Sequence, residues 1–272
     1  MPDTLMKTWF KGGNVYINGT QGSLKNWAAG GDKFSMAINA YFNYFVFYKK
    51  EKINWDNTID FNFSYLQSSS IGSRKNDDRL DFLSKYGYNF NGKFYLTGLI
   101  NIRSQLFDGY SFTETEQLFS STFLSPAYLL VSAGVDYKPS VRFSLFVSPI
   151  TTRLIIVANK KLAGQGLYGV PVGKNSINEI GAFSTINWLQ PISKNVFYKG
   201  RMDLFSNYRS NPQHVDLFLT NYFSFKISKS FSASYNLDLI YDDDVRLFGK
   251  EATSPGLQLK SLIGLGFQMR LK

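Results

Sequence analysis

Apolar and polar side chains alternate along most of this chain with a period of two. In residues 54–68, Trp55, Ile59, Phe61, Phe63 and Tyr65 alternate with Asp56, Thr58, Asp60, Asn62 and Ser64. That period puts each set on its own face of an extended strand. Residues 80–90 repeat it, with Leu80, Phe82, Tyr86, Tyr88 and Phe90 against Asp81, Lys85 and Asn89; residues 257–271 carry it close to the far end. Asn91-Gly92 follows the second run, and a pair that tolerates positive φ fits a tight hairpin. Further runs at 15–19, 34–48, 94–106, 128–137, 141–149, 177–189, 196–208, 215–227 and 231–241 bring the predicted strands to about twelve. No segment sustains a helical period, and no linker, repeat longer than a hairpin or low-complexity tract divides the chain. One domain over residues 1–272 is predicted, with 1–12 as a segment ahead of the first strand.

The connections sort by length. Short ones fall at 50–53, 91–93, 138–140, 191–195 and 228–230; generally longer ones fall at 20–32, 69–79, 107–127, 150–176, 209–213 and 242–256. Short turns at one end and longer loops at the other are the habit of outer-membrane barrels. The predicted fold is therefore all-β: a transmembrane antiparallel up-and-down β-barrel of about twelve strands, with both termini periplasmic. Trp55, Tyr86, Tyr88, Tyr137, Trp188 and Tyr198 fall near the short-turn ends on the apolar face, where an interfacial aromatic belt belongs; Tyr65, Tyr208 and Tyr241 mark the other rim. A soluble β-sandwich or barrel also alternates, but it needs its large aromatics inside, which crowds the core.

Composition narrows this further. No apolar run approaches the roughly 18–20 residues of a spanning helix, although aromatics make up 17% of the chain. Residues 1–10 lack a basic region followed by an apolar stretch, so no signal peptide is predicted in this sequence. The absence of cysteine removes disulfides and thiolate chemistry. A net charge of +10 admits nucleic acid, phospholipid or lipopolysaccharide as partners. The basic residues are dispersed over turns rather than gathered with exposed aromatics, which argues against nucleic acid. Turn-end lysines such as Lys49, Lys50, Lys52, Lys93 and Lys138 lie within reach of phospholipid phosphates. Arg74, Lys75, Arg153, Lys160 and Lys161 belong to the outer side, near lipopolysaccharide, and the long loops could engage other envelope proteins.

If the apolar face meets lipid, the alternate positions line the lumen. Their acids are Asp56, Asp60, Asp81, Asp136, Glu179, Asp203, Asp216 and Asp238; their bases include Lys85, Arg103, Arg142, Lys199, Arg201, Lys226, Lys260 and Arg270. So balanced a set can form a salt-bridged plug or line a wet pore with separated positive and negative walls. Inward Phe146, Phe197, Phe205 and Phe218, and a barrel narrower than the sixteen-stranded porins, lean toward the narrow form.

Other chemistry is sparse. The single histidine, His214, raises a barrel lipase, yet no serine is fixed beside it by sequence. Asp242, Asp243 and Asp244 are the densest acidic cluster and a weak candidate for calcium, though without EF-hand spacing; a solvated loop is the plainer reading. Gly164, Gly166, Gly169 and Gly173 follow no βαβ strand, so no phosphate loop and no cofactor is predicted. The functional expectation is a non-enzymatic small-solute channel or binder, or a scaffold of an envelope complex. The alternative is a lipid-modifying barrel enzyme.

Several motifs carry a resemblance. WAAGG at 27–31, RKNDD at 74–78, FLSPAY at 123–128, YKPS at 137–140, NYRSNP at 207–212 and YDDD at 241–244 resemble an uncharacterised Bacteroidetes outer-membrane family, domain of unknown function 3078, across nearly the whole chain. The resemblance implies an outer-membrane barrel and carries no activity or catalytic residue with it. Leu271-Lys272 departs from the terminal aromatic common in such barrels, although Phe267 is in phase.

Overall fold

The computed structural model describes residues 8–23, 34–70, 72–112, 117–243 and 254–271. The WAAGG motif and Asp244 lie outside the described residues. In chain order the elements are β1 (Trp9–Ser23), β2 (Phe34–Lys50), β3 (Ile53–Ser68), β4 (Gly72–Asn91), β5 (Phe94–Ser104), β6 (Gly109–Phe112), β7 (Gln117–Ser121), β8 (Ala127–Ser140), β9 (Phe143–Ile156), α1 (Lys160–Ala163), β10 (Ser176–Pro191), β11 (Val196–Asn207), β12 (Val215–Lys226), β13 (Phe231–Tyr241) and β14 (Gln258–Leu271). All but β6, β7 and α1 form one closed barrel of twelve antiparallel strands, each paired with its neighbour in sequence; β5 pairs with β8 across the β6–β7 hairpin. Closure is made by β1 against β14, in register from Gly13↔Leu271 to Asn18↔Gly266. That seam joins the two end strands into a ring, as a bilayer requires of backbone that water cannot solvate.

Alternation decides which face is which. Ile263, Leu265, Phe267 and Met269 of β14 are exposed on the outside, Ile263 to 77%, while Gly264 and Gly266 between them are buried. Leu96, Ile100, Ile102, Val131 and Val147 are exposed in the same way. An apolar exterior around a polar interior inverts a water-soluble barrel and matches lipid as the surrounding solvent. Trp9, Trp55, Tyr86, Tyr88 and Trp188 stand exposed near the short-turn rim, with the Trp9 ring tilted against those of Tyr48 and Trp55 at ring separations of 4.8 and 6.5 Å. Gly92 adopts φ +56° in the β4–β5 turn. The described ends of β1 and β14 share that rim.

Three boundaries differ from the sequence pattern. Strand β1 begins at Trp9, inside the segment expected to precede the barrel. Strand β4 begins at Gly72 and β9 runs to Ile156, so Arg74–Asp78 and Arg153 are strand rather than loop. In β9 the phase slips at a bulge: Thr151 pairs with Gly181 but Ser148 with Phe183, so Pro149 and Ile150 stand opposite Ala182 alone and β9 carries one extra residue. Proline lacks the donor a ladder needs and is tolerated at a bulge, and the slip moves Arg153 from the outer phase to the lumen.

The longest loops are folded. Ile155, Val157, Leu162, Ala163 and Val170 form a buried cluster joined by Phe119, Tyr128 and Tyr168. Asn159 caps α1, its side chain accepting from the Lys161 and Leu162 amides. Lys75 of β4 reaches Asp78 and Gln105, each at 3.0 Å, and the Phe107 carbonyl at 2.6 Å; Asp78 in turn accepts the Leu106 and Phe107 amides. The β6–β7 excursion is thereby tied to the barrel wall.

Candidate functional site: an ion-paired lumen

The inward positions of facing strands meet in the middle of the barrel. Strands β4 and β11 lie almost opposite each other in the ring, and a four-membered charged cluster joins them with β5. Arg201 pairs with Asp203 at 2.8 Å and with Asp81 at 3.2 Å; Arg103 pairs with the same two carboxylates at 3.1 and 2.9 Å. Asn101 donates to Asp81 at 2.6 Å. Lys199 of β11 crosses to Asp60 of β3 at 2.9 Å, where the Tyr41 hydroxyl also donates at 2.6 Å. Lys260 of β14 bridges Asp238 at 2.7 Å and Asp77 of β4 at 2.8 Å, and Arg79 joins Asp238 at 2.9 Å.

Two further groups lie toward the ends. Lys85 meets Asp136 at 2.5 Å, and Lys138 meets Asp56 at 2.5 Å, near the short-turn rim. Near the loops Arg153 binds Glu179 and, at 2.7 Å, Asp216. Most of these side chains are buried, and burial is tolerable because each charge has an opposite partner and further hydrogen bonds. Guanidinium faces also rest on rings: Arg153 lies 4.1 Å from the Phe205 centroid and Arg103 3.8 Å from that of Phe218.

The structure thus places Asp56, Asp60, Asp81, Lys85, Arg103, Asp136, Glu179, Lys199, Arg201, Asp203, Asp216, Asp238 and Lys260 on the inner face. Arg142 is a correction: it sits in the exposed turn before β9, beyond the last inward strand position. The backbone of Arg270 lies opposite Asn14, and its side chain lies outside the described residues. Phe146 and Phe205 are buried inside, whereas Phe197 is 37% exposed at the turn-side rim. Three cations escaped the sequence reading. The sequence pattern puts Lys138 and Arg153 among the turn and loop charges, and Arg79 at the edge of a loop. For Arg79 a signal existed, since it continues the inward phase of Asp81.

Asp243 is another correction. It is 8% exposed rather than solvated: His214 Nδ1 lies 2.7 Å from its carboxylate, and its amide donates to Asp216 at 3.3 Å. Among the described residues no group of three or more acidic or histidine side chains is placed to hold a metal ion. The His214–Asp243 pair gives an imidazole oriented by a carboxylate, but no hydrogen bond joins that imidazole to a serine among the described residues.

Fold and lumen together define the class: a closed antiparallel barrel that meets lipid with its apolar face and holds a charged, cross-braced interior. A family model described as "Protein of unknown function (DUF3078)" matches residues 19–110, about a third of the chain, so the resemblance expected over nearly its whole length is seen over that part. Among curated proteins, none matches. Similar solved structures include the translocator domain of the autotransporter NalP from Neisseria meningitidis, 12% identical, covering 97% of this chain and 90% of that one at a TM-score of 0.41. The NanC porin is 8% identical over 94% of this chain and 100% of that one, TM-score 0.42. An outer-membrane channel from Pseudomonas putida F1 is 8% identical over 96% and 94%, TM-score 0.42.

Proposed function

We propose that this chain is a non-enzymatic barrel of a bacterial outer membrane, in an envelope of the Bacteroidetes type, that binds small solutes or passes them through a restricted lumen. Both termini are periplasmic in this reading. The observation that carries it is the Asp81–Arg103–Arg201–Asp203 cluster, which ties opposite walls together where a wide pore needs open water. Turn-side lysines face phospholipid phosphates, and the folded loops face lipopolysaccharide and other envelope proteins.

Planar-bilayer recording tests the reading. The wild-type barrel is expected to open in small steps, well below those of sixteen-stranded porins. The variant Asp81→Ala/Arg103→Ala/Arg201→Ala/Asp203→Ala, which removes the brace without leaving a net charge, is expected to conduct more. Wide wild-type openings refute the restricted lumen, and silence of both proteins refutes passage. Unchanged phospholipid turnover in His214→Ala would dismiss that histidine as a catalytic base.

A further inference from the structure

The lumen is filled unevenly. Toward β4, β5 and β8–β11 it is packed with the buried side chains of Leu83, Leu99, Leu130, Phe146, Phe183 and Phe205. Toward β12–β14 and β1–β3 the inward residues are mainly asparagine, serine, threonine, glycine and tyrosine, and there the space is not closed. A cavity of about 160 Å³ opens at the loop-side mouth between Tyr128, Arg153, Asp216 and Phe218. A second, of about 50 Å³, lies deeper and shares Phe218 with the first. A third, of about 30 Å³, shares Tyr41, Asn62, Tyr222 and Asn236 with the second. Each exceeds the roughly 10–15 Å³ that one water molecule needs.

We infer that these cavities form one off-axis conduit for small, uncharged polar solutes, with Phe218 as the barrier between its outer and inner parts. The inference rests on the restricted-passage reading above and adds the route and the solute class.

Three features support it. The second cavity is bounded by three acids, Asp60, Asp81 and Asp238, and three bases, Arg79, Lys199 and Arg201, all of them ion-paired. It therefore presents no net charge, and an ion entering so narrow a space must shed hydration that nothing replaces. The third cavity is lined largely by Asn18, Asn39, Asn62, Asn236, Ser64 and Ser234, groups that both donate and accept, as hydroxyl- or amide-bearing solutes require, and the carboxylate of Asp77 at its wall is paired with Lys260 at 2.8 Å. Asn18 is 7% exposed, and its Oδ1 accepts no hydrogen bond from a described residue. A buried acceptor in that state calls for a donor from water or solute.

Phe218 itself is held by charge. Its ring lies 3.8 Å from the Arg103 guanidinium and 5.2 Å from that of Arg79, and those cations are anchored to Asp81 and Asp203, and to Asp238. The ring is thus fixed at the boundary by cation–π contact on the residues that brace the lumen.

Osmotic swelling of proteoliposomes containing the full chain tests the conduit, with glycerol and urea as probes and potassium conductance measured in parallel. Wild type is expected to pass glycerol slowly but above protein-free vesicles. Folded Phe218→Ala is expected to raise glycerol entry severalfold with a smaller rise in potassium conductance, and Phe146→Ala, on the packed side, to leave glycerol entry at the wild-type rate. Phe218→Ala without effect, an equal rise for potassium, or equal opening by Phe146→Ala each overturns the conduit. Should Phe218→Ala fail to fold, Asn236→Trp decides. Loss of wild-type glycerol entry supports the route, and its retention overturns it. If wild type and the brace-removed variant both admit nothing, the passage reading fails rather than the route alone.

Discussion

Replacing Arg201 by methionine keeps much of its volume and removes one of the two cations shared by Asp81 and Asp203. In the native lumen those carboxylates lie 3.2 and 2.8 Å from Arg201 and 2.9 and 3.1 Å from Arg103, so two positive groups balance two negative ones. The substitution leaves two buried carboxylates on one guanidinium. Removing one partner of a buried ion pair costs about 3–5 kcal/mol, because the charge left behind stays desolvated. Arg103 remains in contact with both carboxylates and Asn101 still donates to Asp81, so the lower end, about 3 kcal/mol, applies. Adding Asp203→Asn restores balance, since Asp81 then has Arg103 to itself. The double variant is expected to recover about 2 kcal/mol of the loss, a roughly 30-fold change in the folding equilibrium. Urea unfolding in liposomes, followed by tryptophan emission and by heat-modifiable migration, measures Arg201→Met, Asp203→Asn and the double variant against wild type. A double variant no more stable than Arg201→Met alone would refute the charge-balance account, as would a loss below about 1 kcal/mol in that single variant.

Two more outcomes follow from features outside the lumen. In a Trp27→Phe background, emission from Trp9, Trp55 and Trp188, each exposed near the short-turn rim, is expected to be quenched more by lipids brominated near the headgroup than by lipids brominated at the chain ends; the reverse order contradicts their place in an interfacial belt. In the loop cluster, burial pushes the Tyr168 hydroxyl up to about 12, and it donates to the Ser120 carbonyl at 2.5 Å. A tyrosine raised above its unfolded value near 10 stabilises the fold fully below that pH and loses its contribution as pH climbs toward 12. Proteolysis of the loops by an alkaline-active protease should therefore accelerate across that window in wild type, and Tyr168→Phe should flatten the change.

Much of the barrel was legible in the residues because alternation is a local property. Each strand of the barrel needs one face for lipid and one for the lumen, so Trp55 to Tyr65 and Leu257 to Leu271 disclose their geometry without reference to any neighbour. Loop parity then ordered the strands, since a short turn forces antiparallel neighbours. The same locality explains the failures. Arg153 looked like a loop residue because a bulge at Pro149 and Ile150 shifts the phase, and a bulge is set by the partner strands β8 and β10 rather than by β9 alone. Lys138 looked like a turn lysine because its partner, Asp56, lies 82 positions away.

The chain by itself determined the strand count, the apolar exterior and the chemistry of the inner face. Ring closure decided the rest. It set Lys199 against Asp60 and Arg201 against Asp81, pairs separated by more than a hundred residues, and it gathered the apolar inward residues on one side of the lumen. No spacing in the sequence encodes which walls face each other across a barrel. That follows from strand order, register and tilt taken together, and it separates a wide pore from a braced lumen with a lateral polar seam.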